Sequence, residues 1–306
     1  MELRKLNRNM IELAVTQGIR EIRQDPNRGM RRLADLAQHF AEKNFHDSVF
    51  LKIQAALLKK DSRYYQMIRN IINQVDENAI RCFGMNLGYN SWTCGITTLR
   101  EIWKKTGKEP DWYCELYYDG SGDSENDQGN LKKLESVIDQ KKKEGVYCYF
   151  LYPGDSFEHC PNLVFLLSHF PDCAFFWFFR ENHLTEPQIK VLKRHTNCMY
   201  LFPAPEEKDR EAEKTVYLFR KHRILHSMYM TYKEEDGMEL LQKRVEQVMK
   251  NPPLALVLKA EESVSEAFQK KCAEKVWTER NSPHCDTFLI EMEADNRKIL
   301  DMILGR

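Results

Sequence analysis

From Glu115 to the last residues, seven short apolar runs alternate with seven helical patterns, and this alternation limits the chain to very few folds. The runs are Glu115–Tyr118, Val146–Tyr152, Cys173–Phe179, Cys198–Phe202, Ile224–Thr231, Leu254–Leu258 and Thr287–Glu291. Stretches such as CAFFWFF and LALVL are apolar at every position, as strands are when helices cover both faces of a parallel sheet. Helical spacing fills the intervals near 131–144, 161–169, 186–195, 207–221, 236–250, 262–279 and 295–304. Successive βα units imply a parallel α/β architecture, either an incomplete barrel or a doubly wound sheet. The first strand is not followed by GxGxxG, which favours the barrel. The expected fold is an α/β partial barrel of about six or seven parallel strands over 111–306, compared with eight in a closed barrel.

An all-helical N-terminal domain is expected over 1–84. Met10, Leu13, Ile19 and Ile22 share a face in 9–23, and Asp25-Pro26-Asn27 makes a turn. Helices are expected at 29–43, 47–59 and 62–74, and Asp76 is placed to cap a fifth that carries Ile80 and Phe83. Residues 85–110 read as a glycine-bearing connector, a hinge with a helix from Thr97 to Lys105 that stops at Gly107 and Pro110.

Lys and Arg number 46, as do Asp and Glu, so no net field draws the chain to nucleic acid or to an anionic membrane. No run approaches the ~18 apolar residues of a membrane span, and the charged MELRKLNRNMIEL does not read as a secretion signal. A cytoplasmic location is expected, with no membrane or nucleic-acid partner. The nine cysteines contain no CxxC pair, and several fall inside apolar strands where a reduced thiol packs as a small hydrophobe.

In a barrel, function resides in the loops after the strands. Here they contain Asp119-Gly-Ser-Gly-Asp123, Pro153-Gly154-Asp155-Ser156 and Arg180-Glu181-Asn182-His183, then Pro203–Glu206, Tyr232–Glu234, Lys259–Glu261 and Met292-Glu293. Asp119, Asp123, Glu181 and His183 are the candidate catalytic residues, because an imidazole beside carboxylates at strand ends can move protons near neutral pH. Asp119, Asp123, Glu125 and Asp127 have the oxygen chemistry of a hard-cation site, but their spacing is not that of an EF-hand and a solvated loop is the simpler reading. His159-Cys160 and His284-Cys285 offer four zinc donors, yet adjacent residues in an extended loop point apart. No metal site is expected.

The segments 61–92, 134–157 and 170–202, with the first strand between them, resemble a group of bacterial radical S-adenosylmethionine proteins, and NLGYNSW (Asn86–Trp92) is the most distinctive piece. The resemblance runs in order over residues 60–260. It implies a partial barrel with a 4Fe-4S cluster held by CxxxCxxC after the first strand, since such clusters are held by cysteine sulfur. Gly120–Asn130 contains no cysteine. The glycine-rich turn that would bind S-adenosylmethionine corresponds to Pro153, Gly154, Asp155 and Ser156, and the end of the third strand to Arg180, Glu181 and Asn182. These departures imply a degenerate member without cluster or cofactor, in which Pro153, Gly154, Asp155, Ser156 and Asn182 remain the ligand-binding candidates. The expected function is binding or accessory, towards a peptide, a small ligand or an active radical enzyme, with residual S-adenosylmethionine binding left open. The alternative is cluster-independent acid/base or metal-assisted chemistry at the barrel mouth.

Overall fold

A computed structural model describes residues 2–26, 28–32, 35, 63–119, 124–205, 209–282 and 285–306. Strands β1 (Cys114–Tyr118), β2 (Cys148–Pro153), β3 (Ala174–Phe178), β4 (Cys198–Pro203), β5 (His226–Tyr232), β6 (Ala255–Ala260) and β7 (Phe288–Glu291) form one all-parallel sheet in sequential order. Each strand adds to the same side of its predecessor. The order therefore never reverses, whereas a doubly wound sheet must reverse at its ligand site.

The register divides the aromatic run 175–179 between two faces. Phe175, Trp177 and Phe179 point to one side, where Trp177 stacks on Phe179 at 5.1 Å and Phe179 on Phe202 at 5.1 Å. Helices α5 (Ser124–Lys143), α6 (Val164–His169), α7 (Glu186–Leu192) and α8 (Arg210–Lys221) belong to this outer layer, with Phe219 of α8 edge-on to Phe202. Phe176 and Phe178 point to the other side. That side is concave, because Lys259 of β6 reaches to 3.9 Å from the Tyr152 ring of β2, four strands away in the sheet. Helices α9 (Gly237–Val248) and α10 (Glu266–Arg280) cover β6 and β7, and α11 (Met292–Leu304) meets the other edge of the sheet, where Trp112 donates to Asn296 O at 3.2 Å.

The N-terminal helices α1 (Glu2–Gln24), α2 (Arg63–Gln74) and α3 (Glu77–Gly84) pack on one another, and α2 and α3 also pack on the sheet. Ile19, Ile22, Met30 and Ile72 make a small core of their own. Val75, Ala79 and Phe83 share theirs with Ala174, Leu225 and Leu254, and Met67 joins Met230 and Leu256. Asp76 caps α3 by accepting from the backbone N–H groups of Asn78 and Ala79, as its position suggests. The expected helix at 29–43 is described only at 29–32 and 35, where it is helical, and that at 47–59 lies outside the described residues.

The expected hinge is corrected. Residues 77–106 form one unbroken helical run: α3, a wide π-type stretch at Met85–Gly95, and α4 (Ile96–Thr106). The polar residues that suggest a loop are buried anchors. Asn86 Nδ2 donates to Pro171 O at 2.9 Å and Cys173 O at 2.8 Å, and Asn90 Nδ2 to Asp172 O at 2.7 Å. Gly95 lies against the α5–β2 turn so closely that a Cβ there would sit 2.1 Å from Gly145 O.

Candidate functional site

The C-terminal ends of β1, β2, β3, β5 and β6 surround a cavity of about 820 Å³. One wall is aromatic because the last concave-side residue of β1, β2 and β3 is a ring, with Tyr229 of β5 beside them. Tyr117 stacks on Tyr152 at 5.1 Å, Tyr152 on Phe178 at 4.7 Å, and Phe178 meets Tyr229 edge-on at 5.3 Å. The hydroxyls are tied back into the wall. Glu115 accepts from Tyr117 Oη at 2.6 Å and Tyr152 Oη at 3.3 Å, while Tyr229 donates to Phe179 O at 2.8 Å. Burial and these carboxylates push the Tyr117 and Tyr152 phenols far up, and burial lifts Tyr229 to about 12. The cavity therefore meets neutral rings.

Charged groups complete the lining: Asp119, Arg180, Lys259, Glu261 and Glu262. The Arg180 guanidinium donates to Gly154 O, and Gly154 N donates to Tyr118 O at 2.6 Å, so the loops after β1, β2 and β3 are laced together. A Cβ at Gly154 would lie 3.1 Å from Tyr118 O and 3.2 Å from Asp119 Oδ1, which makes this approach one that suits glycine.

Of the residues singled out in the sequence, Asp119, Pro153 and Gly154 line the cavity. Asp155 and Ser156 do not. The Asp155 carboxylate accepts from Ser156 N at 2.7 Å and lies 3.1 Å from His159 Nδ1, contacts that hold it below the usual carboxylate range. Glu181 accepts from Phe157 N at 2.6 Å and so fastens the same turn from behind, with burial raising its pKa. Asn182 is half-buried, and its Oδ1 has no partner among the described residues. His183 faces outward and pairs with Glu211 at 3.1 Å, both side chains more than half exposed. Asp123 lies outside the described residues, and Glu125 and Asp127 belong to the first turn of α5. Of the expected acid/base set, Asp119, Glu181 and His183 do not converge: Asp119 lines the cavity, Glu181 holds Phe157 N and His183 pairs with Glu211.

Sequence reasoning missed Tyr117, Tyr152, Phe178, Tyr229 and Thr231 as lining. It also missed a carboxyl pair next to the cavity wall. Glu291 is fully buried, accepts from Tyr232 Oη at 2.6 Å and caps α11 at Ala294 N. Glu293 accepts from Ala260 N at 3.4 Å. Burial and the neighbouring Glu291 push Glu293 up to about 8.

Cluster ligation at this end of the sheet does not fit the residues. The cysteines on strands, Cys114, Cys148 and Cys198, open their strands at the opposite end, and burial pushes all three thiols up, away from the thiolate that iron needs. All nine cysteines are free thiols. Among the described residues no helix is long and apolar enough to cross a membrane. No family model and no curated protein matches the chain.

Proposed function

We propose that this chain is a binding protein on a partial α/β barrel, a radical-SAM-like scaffold that works without a cluster, and that its mouth holds a small ligand or a peptide side chain. The observation that carries the reading is the mouth itself: four neighbouring rings, the three tyrosine hydroxyls tied back, and loops laced by Arg180 and Gly154. Fixed rings give contact area at little entropic cost, which suits recognition. The parallel strands that follow one another in sequence support the resemblance, and the Asn86/Asn90 clasp gives NLGYNSW a structural role in this chain. Nine free thiols suit a reducing, cytoplasmic setting, and the balanced charge suits neither nucleic acid nor membrane as partner.

The test is anaerobic purification with iron and sulfide reconstitution, metal analysis, and calorimetric titration with S-adenosylmethionine. The reading expects a colourless protein and no saturating heat with S-adenosylmethionine, because Asp155 is committed to Ser156 and His159. A stoichiometric 4Fe-4S absorbance that survives desalting sinks it.

One observation favours the alternative, cluster-independent acid/base chemistry: the Glu293 carboxyl accepts from Ala260 N at the cavity wall, where burial and Glu291 push it up to about 8. Such an enzyme would turn over a substrate with a rate that falls through pH 8 and is lost in Glu293→Gln. Turnover indifferent to that substitution removes this reading.

A further inference from the structure

Arg180 and Lys259 both line the mouth, and among the described residues neither forms an ion pair. Their surroundings make this a property of the site. Lys233, next to β5, is within 3.8 Å of Glu261 and 3.6 Å of Glu235, so Glu261 is already engaged. Arg180 spends one N–H on the Gly154 carbonyl, which holds the guanidinium at the end of β3, with Asp155 near enough to feel its charge yet forming no ion pair with it. Lys259 lies 3.9 Å from the Tyr152 ring centroid, held by a cation–π contact that also leaves the charge without an anion. The two cations thus border the aromatic wall from β3 on one side and β6 on the other.

Resting on the binding reading above, we infer that the mouth selects an aryl anion: a molecule whose oxyanion is taken by Arg180 and Lys259 and whose flat body lies on the exposed Tyr117 ring at the end of the aromatic wall. A guanidinium offers paired donors to a carboxylate or phosphate, and the lysine adds a point charge. Tyr117 is 65% exposed and its ring presents a free face at the sheet edge for stacking. The cavity, about 820 Å³, has room for a ligand of this size. Asp119 and Glu262 also line the mouth, and they oppose a second negative group, so the expected ligand carries one anionic end.

The experiment titrates the full chain by calorimetry with matched aryl probes: 4-hydroxyphenylacetate and 4-hydroxyphenyl phosphate as anions, 2-(4-hydroxyphenyl)ethanol as neutral, and tyramine as cation. The expected result is that an anion binds at least tenfold more tightly than the neutral and cationic probes. 4-Hydroxyphenyl phosphate against 4-hydroxyphenylacetate tells a phosphate from a carboxylate ligand. Arg180→Gln and Lys259→Met should each weaken the anion about tenfold with unchanged denaturation midpoints, while Arg180→Lys keeps most of the affinity. If tyramine or the alcohol binds as tightly as the anions, and Tyr117→Ala weakens it, the binding reading stands and the anion inference is overturned. If no probe binds, or binding ignores Tyr117→Ala, both fall.

Discussion

The two ends of the sheet are built on opposite principles. At the N-terminal ends of the strands polar groups are matched by short-range partners: Asn197 Nδ2 donates to Leu167 O and Phe170 O, Tyr149 Oη to Val146 O, and Thr287 Oγ1 to Pro253 O. Helices α2 and α3 seal this end, and Arg223 binds it from the other side by donating to Val75 O at 2.8 Å. At the mouth, the Tyr117 ring is exposed, two cations form no ion pair with a carboxylate among the described residues, and a carboxyl pair shares a buried corner. A matched end stabilises a fold, whereas an unmatched end keeps interactions in reserve for a ligand, so stability and binding should separate by position.

The largest effect should come from the outer aromatic layer. Trp177→Ala, at a fully buried ring, should lose about 3–5 kcal/mol in urea unfolding; a loss under about 1 kcal/mol would mean that the layer is not the main core. Next is Asn86→Ala, which leaves the carbonyls of Pro171 and Cys173 without their donor and should lose about 1–3 kcal/mol while leaving mouth binding intact. Altered binding in that variant would blur the division between the two ends.

A smaller effect concerns pH. Folding raises the Glu293 pKa to about 8, above the ~4.3 of an unfolded chain. The native state therefore holds a proton that the unfolded state releases, so stability is full at low pH and falls as pH rises from about 5 to about 8. Glu293→Gln should flatten that slope. A slope identical to that of the parent chain would show that the pair is not the source.

The strands were legible because apolar runs flanked by turn residues have few alternative readings. Observed β1 and β7 differ from the sequence reading by one residue at one end each. Helix boundaries shifted where capping decides: the patterned stretch 262–279 begins at Glu266 because Ser265 accepts from Phe268 N. The connector misled because Asn and Gly are turn residues in sequence, yet Asn86 and Asn90 are satisfied by carbonyls more than 80 residues away. The mouth was legible as a set of loops and illegible as a set of side chains. Whether Phe176 and Phe178, or Phe175, Trp177 and Phe179, face inward depends on sheet curvature, which period-two patterning in a wholly apolar strand does not encode. A ring at the last inward position of β1, β2 and β3 was the available signal, hidden because each also reads as core.

Tyr117→Ala tests the division most directly, since its ring is 65% exposed and belongs to the mouth alone. Measured together by calorimetry and urea unfolding, this variant should lose at least tenfold in affinity for an aryl-anion probe such as 4-hydroxyphenylacetate while its stability stays within about 0.5 kcal/mol of the parent. Affinity unchanged by the loss of that ring would contradict the account.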